Sequence, residues 1–279
     1  MSEAANELEL ARLEREMDVA RRIQQSFLPK GLPQPDGWQI AADFIPAREV
    51  AGDFYDAFPM ANGRRIGLIV ADVCDKGVGA ALFMALMRSM LRAFAQQHHA
   101  MGWMGGQGLA PARGGAPSAG STALLSAIEL TNRYIAENHG ESGMFASVFF
   151  GVLDPGTGAL NYINAGHNPP YIFSGGTVRE QLGRTGPVVG LFAGAKYEVA
   201  QAKVEPGELL FLFTDGVPEA RNEAKEFFEE SRLIGTLDAS FAAASDAVAK
   251  VRAELGAYVG DAPPHDDVTM MAVLRAAKL

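Results

Sequence analysis

The sequence predicts an α+β fold, with many short strands interrupted by one helix pair and preceded by an N-terminal helix. Three observations carry that prediction. Residues Glu3 to about Leu28 contain neither Gly nor Pro. From residue 39 onward, strand-sized apolar or alternating runs recur with turn residues between them. Two stretches, Gly79 to Gln97 and Thr122 to His139, change from that rhythm to helical spacing.

In the first helix Leu10, Leu13, Met17, Ala20, Gln24 and Phe27 recur at alternating spacings of three and four. This seam of about three heptads, with one Gln in it, fits either a dimeric coiled coil or a helix packed on its own domain. Pro29, Pro33 and Pro35 end the helix and make a stiff bridge. Residues 1–35 are therefore read as a linker or dimerisation helix with its bridge, and 36–279 as one catalytic domain.

Strands are predicted at 39–45, 54–59, 65–71, 145–153, 159–164, 170–174, 197–203, 208–213 and 268–275. Asp154-Pro155-Gly156-Thr157-Gly158 reads as a hairpin turn. Between the paired helices, residues 98–121 are rich in Gly, Ala and Pro and are expected to form a flexible insertion. A last helix is predicted over about 240–257, with Phe241, Val248, Val251 and Leu255 on one face.

At 279 residues and 48% hydrophobic, the chain holds one large core and a small appendage. A net charge of -9, with no basic stripe, excludes a nucleic-acid partner. The single cysteine, Cys74, gives no sign of an oxidising compartment. The N-terminus is acidic where a secretory signal would be basic and then apolar, and the longest apolar runs are strand-sized. A cytoplasmic protein without a membrane partner is expected.

Four acidic segments end apolar runs: Gly52-Asp53-Phe54-Tyr55-Asp56, Ala71-Asp72-Val73-Cys74-Asp75-Lys76-Gly77, Thr214-Asp215-Gly216-Val217 and His265-Asp266-Asp267-Val268-Thr269. Carboxylates gathered at strand ends repel one another unless a cation sits among them. All-oxygen ligands suit Mg²⁺ or Mn²⁺ rather than zinc. A metal-dependent hydrolase follows.

These motifs, with Asn164-Ala165-Gly166-His167-Asn168-Pro169-Pro170 and the Ala20 to Pro29 segment, resemble the SpoIIE-type branch of the metal-dependent PPM protein serine/threonine phosphatases. The resemblance runs from about residue 17 to 275 and rests on the order of the motifs more than on any one. It implies a four-layer α-β-β-α sandwich of two antiparallel sheets. It also implies a pair of ions, Mn²⁺ or Mg²⁺. Carried over by position, Asp72 would bridge the two, the Val73 carbonyl would bind one, Asp215 and Asp266 would complete the other, and Asp53 would be a further ligand. Asp72, Asp215 and Asp266 would thus act in catalysis through water activated by the ions. Asp56, Asp75, Lys76, His167 and Asp267 are candidates for a supporting layer or for plain turn and surface roles.

Other readings stand beside these. His167 fits a general acid or a brace for its turn. Lys76 fits a counter-charge to the carboxylates, a phosphate contact or a helix-entry residue. His98 and His99, with Met101 and Met104, read as solvated loop residues, and Arg21 and Arg22 as an exposed helix face. Gly52, Gly77, Gly79 and Gly216 would let backbone pass close to the ions, or serve as turn glycines. Cys74-Asp75 replaces the family's usual Ser-Gly pair.

The function implied is hydrolysis of phosphoserine or phosphothreonine on an anti-anti-sigma-like regulatory protein in a bacterial partner-switching pathway. An upstream sensor, or self-association through the first helix, would control it. Two alternatives are a catalytically weak module that binds such a partner and a hydrolase of small phosphoesters. No Gly-x-x-x-x-Gly-Lys-Ser loop supports a nucleotide substrate.

Overall fold

A computed structural model of the chain describes residues 3–104 and 119–277. Helix α1 (Glu3–Phe27) is followed by β1 (Trp38–Ile45), β2 (Phe54–Met60) and β3 (Arg65–Val73). Helices α2 (Val78–Met104) and α3 (Ala119–His139) come next, then β4 (Ala146–Leu153), β5 (Ala159–Ala165), β6 (Tyr171–Ser174), β7 (Thr177–Gln181), β8 (Ala200–Lys203) and β9 (Leu209–Phe213). Helices α4 (Glu229–Thr236) and α5 (Ala244–Val259) precede the last strand, β10 (Val268–Arg275).

The strands form two antiparallel five-stranded sheets, ordered β1-β10-β9-β6-β7 and β2-β3-β4-β5-β8. Three apolar clusters fill the gaps between four layers. Leu68, Val70, Phe149, Leu210, Leu212, Met271 and Val273 pack between the sheets. Phe54, Phe58, Ile69 and Phe150 pack under Met84, Met87, Leu91 and Leu124 of α2 and α3. Phe211, Phe213 and Met270 pack against Leu233 of α4 and Val251 of α5. Strand alternation divides each sheet's side chains between its two faces, so both faces are apolar and covered. The four-layer expectation is met.

Several boundaries differ from those the sequence predicts. Helix α2 continues to Met104 and α3 begins at Ala119, so both intrude on the expected insertion at 98–121. The rest of that insertion, and the side chains of His98, His99, Met101 and Met104, lie outside the described residues. Strand β8 covers only Ala200–Lys203 of the expected 197–203, and α5 starts at Ala244 rather than 240. Strand β7 and helix α4 were not anticipated. The first is too polar for an apolar alternation, and the second is only 8 residues long.

The expectation that apolar runs are only strand-sized fails at α2. Its Val78–Gln97 stretch of 20 residues has a mean hydropathy of 1.4, long and apolar enough to cross a membrane by length and composition. In the fold it lies on β2, β3 and α3, where such a face is buried.

Helix α1 divides in two. Gln24 is buried, and its side chain both donates to the Ala51 carbonyl at 2.6 Å and accepts from the Ala51 amide at 3.0 Å. Arg21, expected to be solvated, is salt-bridged to Glu49. Earlier in the helix, Leu10 and Leu13 are 59% and 51% exposed, leaving the predicted seam uncovered.

Candidate functional site

Alternation along the strands explains why four distant segments meet. Tyr55 and Ala57 of β2 face the gap between the sheets, and Asp53, just before the strand, has the same parity. So does Asp72 with Leu68 and Val70 on β3, Thr214 with Leu210 and Leu212 on β9, and Thr269 with Met271 and Val273 on β10. Phe54 pairs with Ala71, and Met270 with Phe213, so these residues lie at one end of the sandwich.

Asp53 is the innermost group. The hydroxyls of Thr214 and Thr269 each donate to its Oδ2 at 2.7 Å. Burial and then the charge of Asp72 raise its pKa well above the ordinary carboxylate value, which the two hydroxyls partly offset. Burial, followed by the charges of Asp215, Asp266 and Asp267, pushes Asp72 up to about 8. Asp215 is pushed up to about 6, by burial first and then by Asp266 and Glu219. Such mutual repulsion identifies a place where negative charge has been concentrated against its own cost.

One protein cation already serves it. Nζ of Lys76 is 2.8 Å from Oδ2 of Asp266 and donates to the His265 carbonyl at 2.8 Å. Among the described residues, no group of three or more His, Cys, Asp or Glu side chains closes around a point where an ion would sit. The donor chemistry nevertheless fits a hard divalent cation. The carboxylates are oxygen-only and share one field, and among the described residues Lys76 is the one cation paired with them.

Asp267 holds the surrounding loop. Its two oxygens accept from the amides of Ala47 at 2.7 Å and Gly52 at 2.9 Å. Two glycines are required by close approach of the backbone itself. A Cβ on Gly52 would lie 2.6 Å from the Val73 carbonyl oxygen, and one on Gly216 would lie 1.9 Å from that of Asp267. Gly77 has φ +88°, whereas a Cβ on Gly79 would meet nothing within 4 Å.

The remaining candidates are not all brought together. Asp56 shares the face of Phe54 and Phe58, points at α2, and is salt-bridged to Arg88 at 2.9 Å and Arg92 at 3.0 Å. It is absent from the carboxylate cluster, correcting its candidacy for a supporting layer. Asp75 is exposed at φ +71° and its carboxylate accepts from the Lys76 amide at 2.8 Å, as a turn residue does. Val73 is at the end of β3, with its amide bound to the Gly52 carbonyl at 3.4 Å.

His167 is fully buried, and its Nδ1 lies 2.7 Å from the hydroxyl of Ser147, the β4 residue opposite Asp72. Burial lowers its pKa to about 3, a little offset by the Phe213 main chain, although its Nε2 makes no hydrogen bond of good geometry. Burial thus favours the neutral form of the ring, which is held in its turn beside Ser147. Cys74 accepts from the Phe145 amide at 3.2 Å, and burial raises its thiol pKa, so it is no thiolate nucleophile.

Sequence reasoning missed Thr214, Thr269, Glu219 and Ser147. The two threonines were legible from strand parity with Asp53's face, while Ser147 needed the β3–β4 register.

The family model described as Stage II sporulation protein E (SpoIIE) matches residues 62–276, a span that begins after Asp53. Among curated proteins, the chain is similar to Protein IcfG of Synechocystis sp. (strain ATCC 27184 / PCC 6803 / Kazusa), 42% identical over 268 residues, 93% of this chain and 41% of that protein. It is also similar to Phosphoserine phosphatase RsbU of Bacillus subtilis (strain 168), 25% identical over 261 residues, 93% of this chain and 70% of RsbU. The chain thus spans less than half of IcfG. In fold it resembles the SiaA-PP2C domain of Pseudomonas aeruginosa, with TM-score 0.70 and 22% identity over 95% of this chain and 97% of that one. It likewise resembles the PP2C phosphatase domain of SpoIIE from Bacillus subtilis, solved with a fragment of its regulatory domain. That match has TM-score 0.65 and 14% identity over 87% of this chain and 64% of that one.

Proposed function

This chain belongs to the SpoIIE family of PP2C-type phosphatase domains, and from that membership we propose that it is a Mn²⁺- or Mg²⁺-dependent protein phosphatase acting on phosphoserine or phosphothreonine. The observation that carries the proposal is the convergence of Asp53, Asp72, Asp215 and Asp266 at one end of the sandwich, where burial and then neighbouring carboxylates raise the pKa values of Asp53, Asp72 and Asp215.

In this reading Asp53, Asp72, Asp215, Asp266 and the Val73 carbonyl hold two divalent ions. When bound, those ions supply charge to the phosphoryl oxygens and activate water for direct hydrolysis. The chain's own residues do the rest. Thr214 and Thr269 lock one oxygen of Asp53, leaving the other for the site. Asp267 ties the 47–52 loop to β10, so that Asp53 keeps its place beside Asp72. Lys76 screens Asp266 in the absence of ions, and in their presence offers an ammonium to the substrate phosphate. His167, whose pKa burial lowers, braces its turn from the Ser147 hydroxyl in this reading.

The substrate is a serine-phosphorylated regulatory protein of the anti-anti-sigma type, and the setting is cytoplasmic. The exposed Leu10 and Leu13 support dimerisation through α1. Gln24 on that helix grips Ala51, two residues before Asp53, so the position of α1 bears directly on the site. Release of inorganic phosphate from a serine-phosphorylated anti-anti-sigma protein by the Mn²⁺-loaded domain tests this. Hydrolysis of an aryl phosphate with none of the phosphoprotein would instead favour a small-phosphoester hydrolase.

A further inference from the structure

A cavity of about 220 Å³ adjoins the carboxylate cluster. Gly216 and Asp266 form one wall, shared with the candidate active site. Apolar side chains complete the lining: Ile45 at the end of β1, Val268 at the start of β10, and Leu255 and Val259 of α5. We propose that this cavity is a specificity subsite, receiving an apolar side chain that flanks the phosphorylated serine of the protein substrate. The proposal rests on the phosphatase reading above.

The size is suitable. A dry apolar cavity of ~150 Å³ accommodates a benzene ring, so a leucine or phenylalanine side chain fits here. The shared wall ties the occupant to the reaction, because a group seated against Asp266 must be attached close to the phosphoester being cleaved. The polar groups indicate a polypeptide. Arg221 and Arg252 also line the cavity. Arg252 is engaged by both oxygens of Asp43, at 2.9 and 3.0 Å. Arg221 stacks on Phe227 at 4.8 Å, and its buried Nε has no hydrogen-bond partner among the described residues. A bound phosphopeptide brings polar main-chain groups together with its apolar side chain to this mixed lining. Its phosphate adds the negative charge that guanidinium groups attract.

Gly256 gives a clean test. It lines the cavity from α5, and a Cβ there would meet nothing within 4 Å. Gly256→Leu therefore adds a bulky side chain to the cavity lining while favouring the helix. A phosphoserine peptide set would carry Ala, Leu, Phe, Asp or Lys in turn at each of the flanking positions, with 4-nitrophenyl phosphate as a probe that needs no subsite. In the Mn²⁺-loaded wild type, one position should prefer Leu or Phe over Ala by about tenfold or more in kcat/KM. Gly256→Leu should erase that preference and Gly256→Ala reduce it, with 4-nitrophenyl phosphate hydrolysis unchanged in both. The proposal is overturned by peptides cleaved without apolar preference, by a preference that survives Gly256→Leu, or by 4-nitrophenyl phosphate turnover with no peptide cleaved. Failure of the wild type on both probes would instead refute the phosphatase reading, and the subsite with it.

Discussion

Nζ of Lys76 lies 2.8 Å from Oδ2 of Asp266, so a carboxylate assigned to metal binding is already paired with a cation of the protein itself. The pair is part-exposed, and such pairs contribute less than about 1 kcal/mol. It is therefore strong enough to screen the cluster and weak enough to be displaced.

Lys76→Gln should thus tighten Mn²⁺ binding to the chelator-treated protein by roughly two- to fivefold. The same variant should raise KM for a phosphate ester, since the ammonium is lost to the substrate. Isothermal titration and steady-state kinetics measure the two effects. Unchanged affinity would remove Lys76 from competition with the ions.

The metal-free protein should lose stability as pH rises. Asp72 has a folded pKa of about 8 against an ordinary value of 3.8, so the folded state binds the extra proton between these limits. Its contribution is complete at the acid end and is lost as pH climbs toward about 8. Melting temperature after chelation should therefore fall between about pH 5 and about pH 8, by roughly 2–4 °C for each kcal/mol lost. Mn²⁺ should flatten the curve, and Asp72→Asn should reduce its slope without metal. A slope of opposite sign would contradict the clustering of carboxylates.

Asp56 is fully buried between Arg88 and Arg92 of α2. Asp56→Ala leaves the buried Arg88 guanidinium uncompensated and should cost about 3–5 kcal/mol. Denaturant unfolding measures this, and a loss under ~1 kcal/mol would show that the network does not fasten α2 to its sheet.

Much of this was legible in the sequence. The motif Gly52-Asp53-Phe54-Tyr55-Asp56 carried both the site and its limits. Residues three apart on a strand face opposite ways, which sends Asp53 to the gap between sheets and Asp56 to the helices. The same rule, applied to Leu210, Leu212 and Met271, would have found Thr214 and Thr269. Strand β7 was hidden because Thr177–Gln181 has no buried residue, although Gly175-Gly176 before it is a hairpin signal. The Lys76–Asp266 contact joins residues 190 apart in sequence and follows only from packing.

The first helix makes separable predictions. Leu13 is 51% exposed, so Leu13→Glu should leave the domain folded and weaken a dimer formed through α1. Gln24→Ala instead removes both hydrogen bonds to Ala51 and should lower activity without changing association. Sedimentation velocity with kinetics distinguishes them. A dimer of undiminished strength in Leu13→Glu would exclude the seam.

The most direct measurement is hydrolysis of an aryl phosphate by chelator-treated protein, with and without Mn²⁺, in wild type and Asp72→Asn. The account predicts no turnover after chelation, restoration by Mn²⁺, and abolition by Asp72→Asn in a protein that still folds. Turnover that persists without metal, or in Asp72→Asn, would contradict it.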